Sequence, residues 1–237
     1  MHATRRRDLG TVIILSVAVA ASPSAHALLV LTGDTLEYSI NNDGDLAAFG
    51  GTAFVVGDEL RFTFTDFVAQ DVDGNPPGFA NLTLEIDVTS TTGLALGTPT
   101  LFEQGDYLLQ NSGSSGASVS GQFIATNLEG AGSETDTFGT LFNTSTLISS
   151  AWTITESLDD VAGWGSDYIR LIFQNNLLAL AIGMEDFAFI EKKFAAISFT
   201  PVPIPGALLL LGSCVVALIA LPKQRLPAKQ STAPVHG

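Results

Sequence analysis

Apolar and polar residues alternate with a period of two in several short segments of this chain. In residues 81–89, four aliphatic side chains fall on one face, while threonine and acidic side chains fall on the other. This alternation is typical of a strand with one buried face and one solvated face. Shorter runs of the same kind occupy residues 36–40, 60–65, 119–126 and 148–155. Long helical periodicity is absent from residues 28–200, so the pattern predicts an all-β domain.

The last third of this region is more continuously apolar. Residues 168–173, 177–182, 187–190 and 194–199 are predicted to be buried strands, although 177–182 also fits a short helix. Turn-forming Gly, Asn, Asp and Pro separate the strands at 42–45, 50–51, 56–58, 73–78 and 175–176. Segment 111–121, rich in Gly and Ser, is predicted to be a loop or an edge segment. Many short strands with such turns predict a jelly-roll-like β-sandwich.

The N-terminus has the three parts of a secretory signal peptide, residues 1–27. Three arginines at 5–7 precede an apolar stretch at 9–21, and small residues at Ala25 and Ala27 mark a cleavage site. We therefore expect the Sec machinery to export the chain and signal peptidase to cut after Ala27. The β-sandwich ectodomain is then residues 28–200.

A second apolar run, residues 206–221, lies near the C-terminus. Its sixteen residues predict a transmembrane helix about 24 Å long. Pro203 and Pro205 stop the helix from extending backwards. Lys223 and Arg225 follow it, which predicts a cytoplasmic tail, residues 226–237, and an exported ectodomain.

Residues 201–225 resemble the PEP-CTERM sorting signal of Gram-negative bacteria in its Val-Pro-x-Pro variant. The resemblance is limited to this segment and to the overall layout, and it is carried by Val202, Pro203, Pro205, Gly206, Ala207, Lys223 and Arg225. It implies that the helix holds the protein in the membrane until an exosortase, a membrane-embedded transpeptidase, processes it. Hosts of such proteins commonly make biofilm and exopolysaccharide. The motif lacks Glu between the prolines, Pro222 and Gln224 interrupt the basic cluster, and a tail follows. An uncut membrane anchor is the alternative.

Charge and residue types exclude several functions. Residues 28–200 contain four basic and twenty-three acidic residues, a formal balance of −19, which excludes nucleic-acid binding. All three histidines and the single cysteine lie outside this region, so catalysis by imidazole or thiol is excluded. The remaining enzymatic alternative is a glycosidase with a carboxylate pair, Glu85 and Asp87. We therefore predict that the protein is not an enzyme.

Two binding candidates remain. Asp71, Asp73 and Asn75 resemble the start of a calcium loop, but Gly74 and Leu82 stand at the wrong positions for an EF-hand. Trp152 and Trp164 would stack on sugar rings if they were exposed, as in a carbohydrate-binding module for exopolysaccharide. The main hypothesis is a structural or adhesive protein without a required cofactor, anchored in the membrane facing the periplasm or processed to the cell surface or extracellular matrix.

Overall fold

The computed structural model describes residues 28–74, 76–110, 115–143 and 147–200. These residues form two antiparallel sheets that pack face to face, with a short helix α1 (Asp43–Ala48) and a 3₁₀ turn (Asp159–Gly163) between strands. The predicted signal peptide, its cleavage site, the sorting motif, the transmembrane helix and Asn75 lie outside the described residues.

The first sheet has six strands. In spatial order they are β1 (Leu29–Thr32), β2 (Leu36–Ile40), β6 (Gly78–Ser90), β11 (Tyr168–Leu180), β8 (Gly116–Asn127) and β9 (Ser133–Asn143).

The second sheet has five strands in a row and a sixth beside them. The row is β10 (Ile148–Ser157), β7 (Pro99–Gln110), β12 (Phe187–Phe199), β4 (Glu59–Thr63) and β3 (Thr52–Val56); β5 (Val68–Val72) also pairs with β12. The predicted all-β sandwich is therefore confirmed.

The core lies between the two sheets and is formed by alternate residues of their strands. In β6, Leu82, Leu84, Ile86 and Val88 are at most 1% exposed, as the period-two pattern predicted. Phe62, Phe123 and Phe173 fill the same space from other strands, and all three are fully buried. Burial of one face of each sheet is the main favourable contribution to such a fold.

Two long strands differ from the prediction. Segment 168–173 and most of segment 177–182 form one strand, β11, which ends at Leu180, so Asn175-Asn176 is not a turn and 177–182 is not a helix. Segments 187–190 and 194–199 are likewise one strand, β12, with a register shift between Lys192 and Phe194. The difference arises because polar residues inside these strands give the same sequence pattern as a boundary between strands.

The Gly- and Ser-rich segment is also different from the prediction. Residues 116–121 belong to β8, which pairs with β11 on one side and β9 on the other, so they form neither a loop nor an edge. Small residues are needed here because a Cβ on Gly121 would lie 2.1 Å from the carbonyl oxygen of Gln174. At 42–45, helix α1 begins where only a turn was predicted.

Among the described residues, no helix is both long and apolar enough to span a bilayer.

Candidate functional site

Three adjacent inward-facing positions of the sandwich carry polar side chains instead of apolar ones. β7 contributes Glu103, β11 contributes Asn175 and β12 contributes Lys192, and none of the three is more than 1% exposed. Each follows the alternation of its own strand, so the side chains meet in the dry layer between the sheets. We call these three residues the Lys192 cluster.

The bulge in β12 follows directly after Lys192. The Lys192 backbone N–H donates to the Phe67 carbonyl (3.0 Å), and the Lys193 carbonyl accepts from the Phe64 N–H (3.0 Å). These bonds hold β12 where its partner changes from β5 to β4. Ala188, Ile190 and Lys192 are inward by ordinary alternation, and the bulge after Lys192 moves the inward positions to Ala195 and Ile197.

The carboxylate of Glu103 joins the other two members of the cluster. Lys192 Nζ donates to Glu103 Oε1 at 2.8 Å, and Asn175 Nδ2 lies 2.7 Å from both Oε1 and Oε2. Oε1 therefore contacts both nitrogen atoms. Within the described part of the chain, Asn175 Oδ1 is buried without a hydrogen-bond partner, which is uncommon for a polar atom in a protein core.

Aromatic rings enclose the Lys192 amine. Nζ lies 3.9 Å from the ring centroid of Phe173 and 5.5 Å from that of Phe64. Desolvation by burial lowers the pKa of Lys192 to about 8, although the charge and hydrogen bond of Glu103 oppose this shift. A lysine that deprotonates near neutral pH is a usable nucleophile when a base lies beside it.

A second polar cluster lies on the solvent-facing side of the first sheet. Arg170 Nη1 contacts Glu85 Oε1 at 2.9 Å, and Arg170 Nε contacts Asp87 Oδ1 at 2.7 Å. Asn41 Nδ2 donates to both carboxylates, at 3.1 and 3.2 Å. We call these four residues the Arg170 cluster.

The contacts of the two carboxylates predicted for a glycosidase differ from those that this chemistry requires. Partial burial raises the pKa of Asp87, but hydrogen bonds from Arg170 and Asn41 outweigh it, so the pKa is lowered. A retaining or inverting glycosidase needs one carboxyl with a raised pKa to protonate the leaving group. Glu85 and Asp87 are instead both held by one guanidinium, as in an ordinary surface ion network.

The acidic residues of the predicted calcium loop accept hydrogen bonds from the backbone of the hairpin between β11 and β12. Asp71 Oδ2 accepts from the Ala181 N–H at 2.8 Å, and Asp73 Oδ1 accepts from the Glu185 N–H at 2.8 Å. Across the described ranges, no group of three or more acidic, His or Cys side chains is arranged to hold a metal ion. The third predicted ligand, Asn75, lies outside those ranges.

The two tryptophans are not solvent-exposed platforms. Trp152 is 4% exposed, and its Nε1–H donates to the Glu191 carbonyl at 3.2 Å. Trp164 is half-buried against the core, and its ring lies over the backbone of Gly132. Trp152 therefore has no free face for sugar stacking, and Trp164 is only partly accessible.

A carboxylate pair that the sequence analysis missed joins the edges of the two sheets. The side chains of Glu156 in β10 and Asp136 in β9 hydrogen-bond to each other, and burial together with Asp136 raises the pKa of Glu156. In the sequence, only the alternation that places residues 136 and 156 on the inward faces of their strands could have indicated this pair. Burial and the neighbouring carboxyl both disfavour the ionised form of Glu156, which explains the direction of the shift.

Outward-facing phenylalanines form a second overlooked feature, on the second sheet. Phe187 and Phe189 of β12 are stacked with ring centroids 6.5 Å apart and an interplanar angle of 9°. Phe102 and Phe194 form another pair at 6.1 Å. All four are half-buried, so part of each ring remains accessible.

A shallow groove lies where β12 ends. Its volume is about 360 Å³, and its wall includes Leu94, Leu96, Phe199 and Asp58. Asp58 is occupied within the protein, since it accepts from the backbone N–H (2.7 Å) and the hydroxyl (2.6 Å) of Thr35. The groove is mainly apolar and brings no reactive groups together.

Comparisons with known proteins do not assign a family. No family model matches this chain, and no curated protein matches it. A solved structure described as "Structure of Eiger TNF from S. frugiperda" is similar at 10% sequence identity and a TM-score of 0.24, covering 59% of this chain and 96% of that chain. A likeness at this level carries no argument about function.

Proposed function

We propose that this protein is an exported structural or adhesive protein of the cell surface or extracellular matrix, carried there by its terminal signals. The observation that carries the proposal is the position of the sorting-like segment. β12 ends at Phe199, and the Pro-rich segment that resembles the PEP-CTERM signal begins at Pro201. At the other end, β1 begins at Leu29, two residues after the predicted cleavage site.

The surface and core of the sandwich support a non-enzymatic role. The Arg170 cluster binds its own carboxylates, the Lys192 cluster is closed to solvent, and the groove near Phe199 lacks reactive groups. The fold also fits a jelly-roll arrangement, because the chain crosses repeatedly between the sheets from β6 to β12. An acidic domain of this kind suits display outside the cell.

Mass spectrometry of the protein from its host tests the proposal. We expect an N-terminus at Leu28 and a C-terminus between Pro203 and Ala207. Replacing Pro203 and Pro205 with alanine should leave the helix in place and abolish C-terminal processing, while Pro222→Ala is the control outside the motif. An intact Gly237 in the surface fraction would contradict sorting, and an uncleaved Met1 in the cytoplasm would contradict export.

A second candidate function is binding of the host's own exopolysaccharide. The favouring observation is the half-buried Phe187–Phe189 stack on the outer face of the second sheet, since aromatic faces stack on sugar rings. Phe187→Ala combined with Phe189→Ala should then weaken retention on the purified polysaccharide at least tenfold. Phe79→Ala is the matched control, because Phe79 is 64% exposed on the other sheet. Equal retention of all three proteins would reject this candidate.

A further inference from the structure

The geometry points to an intramolecular amide bond between Lys192 Nζ and Asn175 Cγ, formed by the protein itself with Glu103 as the proton relay. The bond would join β12 of the second sheet to β11 of the first sheet across the core.

The first support is the placement of the three groups. Glu103 Oε1 is 2.8 Å from Lys192 Nζ and 2.7 Å from Asn175 Nδ2. Because both nitrogens contact the same oxygen atom, the distance between them is at most the sum of these two distances. Holding a nucleophile, an electrophile and a base together in this way replaces a collision with a local rearrangement, which accelerates bond formation.

The second support is the environment of the amine. The side chains of Lys192 and Glu103 are 0% exposed, and the rings of Phe173 and Phe64 lie over Nζ. Removing water from an ion pair destabilises both charges, so transfer of the proton from Nζ to Glu103 relieves that cost. The result is a neutral amine beside a carboxylic acid, the pair that attack on an amide requires.

The third support is the amide itself. Among the described residues, Asn175 Oδ1 is buried and accepts no hydrogen bond, while its Nδ2 lies against Glu103. Oxygen and nitrogen of an asparagine side chain exchange places by a simple rotation. After that rotation, a protonated Glu103 donates to Oδ1, satisfies it and polarises Cγ for attack.

The reaction balances within these three side chains. Nζ forms a bond to Cγ, and the bond between Cγ and Nδ2 breaks. Nζ gives up two protons through Glu103: one reaches Nδ2, which leaves as ammonia, and the other stays on Glu103 or leaves with the ammonia as ammonium. A buried ion pair is thereby replaced by a neutral amide, and no oxidant or cofactor takes part.

Such a bond has a clear use in this domain. Residues 28–200 contain no cysteine, so no disulfide can link the two sheets outside the cell. The amide would close a loop between residues 175 and 192 and restrict the unfolded chain as a disulfide does. Unlike a disulfide, it would resist reducing agents.

Peptide mapping of the wild-type protein tests the proposal. The protein is denatured and cut with a protease that cleaves after Glu185, an exposed residue between the two partners. We expect the peptide with Asn175 and the peptide with Lys192 to stay joined, with a mass lower by one ammonia than the sum of the two separate peptides. Trypsin should also fail to cut after Lys192. Separate peptides with unmodified Lys192 and Asn175 would overturn the proposal.

Variants assign the roles. Glu103→Gln keeps the size of the side chain but removes the base, so its peptides should separate. Lys193→Met changes the neighbouring residue, whose side chain is 51% exposed, and should leave the peptides joined. A linked Glu103→Gln protein would overturn the role of Glu103. If that variant does not fold, the wild-type map still decides whether the bond exists.

Discussion

The Lys192 cluster and the Arg170 cluster are built from the same kinds of side chain, and they differ in their contact with water. Each combines one basic residue with carboxylate and asparagine. The Lys192 side chain is 0% exposed and has one carboxylate, Glu103. The Arg170 side chain is 35% exposed and shares its charge between two. The comparison separates the effect of burial on the pKa of the basic residue from the effect of pairing with a carboxylate.

The pKa shifts of the two basic residues have opposite directions. Burial lowers the pKa of Lys192 to about 8 in spite of its partner. The hydrogen bond with Asp87 raises the pKa of Arg170. Desolvation therefore dominates between the sheets, whereas pairing dominates on the outer face. The inner cluster is accordingly the one poised for chemistry.

The largest expected effect comes from removing the inner cation. Asn175→Ala is the reference protein because it cannot form the amide bond. Adding Lys192→Met leaves Glu103 buried without its cation, so we expect the free energy of unfolding to fall by about 3–5 kcal/mol. Urea denaturation at pH 7 measures this. The control is Lys193→Met in the same reference, whose exposed ion pairs should make a much smaller contribution. Equal losses would contradict the contrast.

Removing both inner charges should reverse that loss. In the Asn175→Ala reference, Lys192→Met combined with Glu103→Leu leaves no unpaired charge between the sheets. We expect a free energy of unfolding that returns to the reference or exceeds it by about 1–4 kcal/mol, because apolar replacements often outperform buried ion pairs. The same urea experiment applies. A double replacement no more stable than Lys192→Met alone would show that the loss was one of packing.

The sequence predicted the regular part of this fold and missed the Lys192 cluster for one physical reason. Alternation in residues 81–89 correctly indicated β6, since its inward residues are apolar. The same rule assigns polar residues to the outside or to turns, so it predicts a turn at Asn175 and divides β12 around Lys192. Glu103 and Asn175 are 72 residues apart in the chain. Only the packing of two sheets reveals that these polar positions compensate one another.

Raising the pH should increase the free energy of unfolding through Lys192. The pKa of Lys192 is about 8 in the folded protein and 10.5 without burial, so between these values the unfolded state binds more protons. The free energy of unfolding of Asn175→Ala should therefore rise with pH across this window, by up to about 1.4 kcal/mol per pH unit. Urea denaturation at a series of pH values measures the slope.

The matched control for this slope is the Asn175→Ala, Lys192→Met protein, which should lack the rise. Tyr38 opposes the effect only at the top of the range, because burial and Asp58 raise its pKa and folding then becomes less favourable as free tyrosine ionises. A slope unchanged by Lys192→Met would show that another group causes it.

The smallest effect is expected at the outer cluster, and salt should distinguish it. Arg170→Gln leaves Glu85 and Asp87 without their cation but in contact with water, so we expect a loss of about 1 kcal/mol at low salt. The loss should shrink in 1 M NaCl, where the Debye length is about 3 Å, whereas the loss from Lys192→Met should not. Acid should also reduce this loss. The pKa of Asp87 is lowered in the folded protein, so its ionised form stabilises the fold above the unfolded pKa, and this contribution disappears as pH falls through the folded pKa. Urea denaturation of both variants with and without salt measures the contrast. Equal salt dependence would mean that water reaches the Lys192 cluster, and the argument for a dry, reactive amine would then fail.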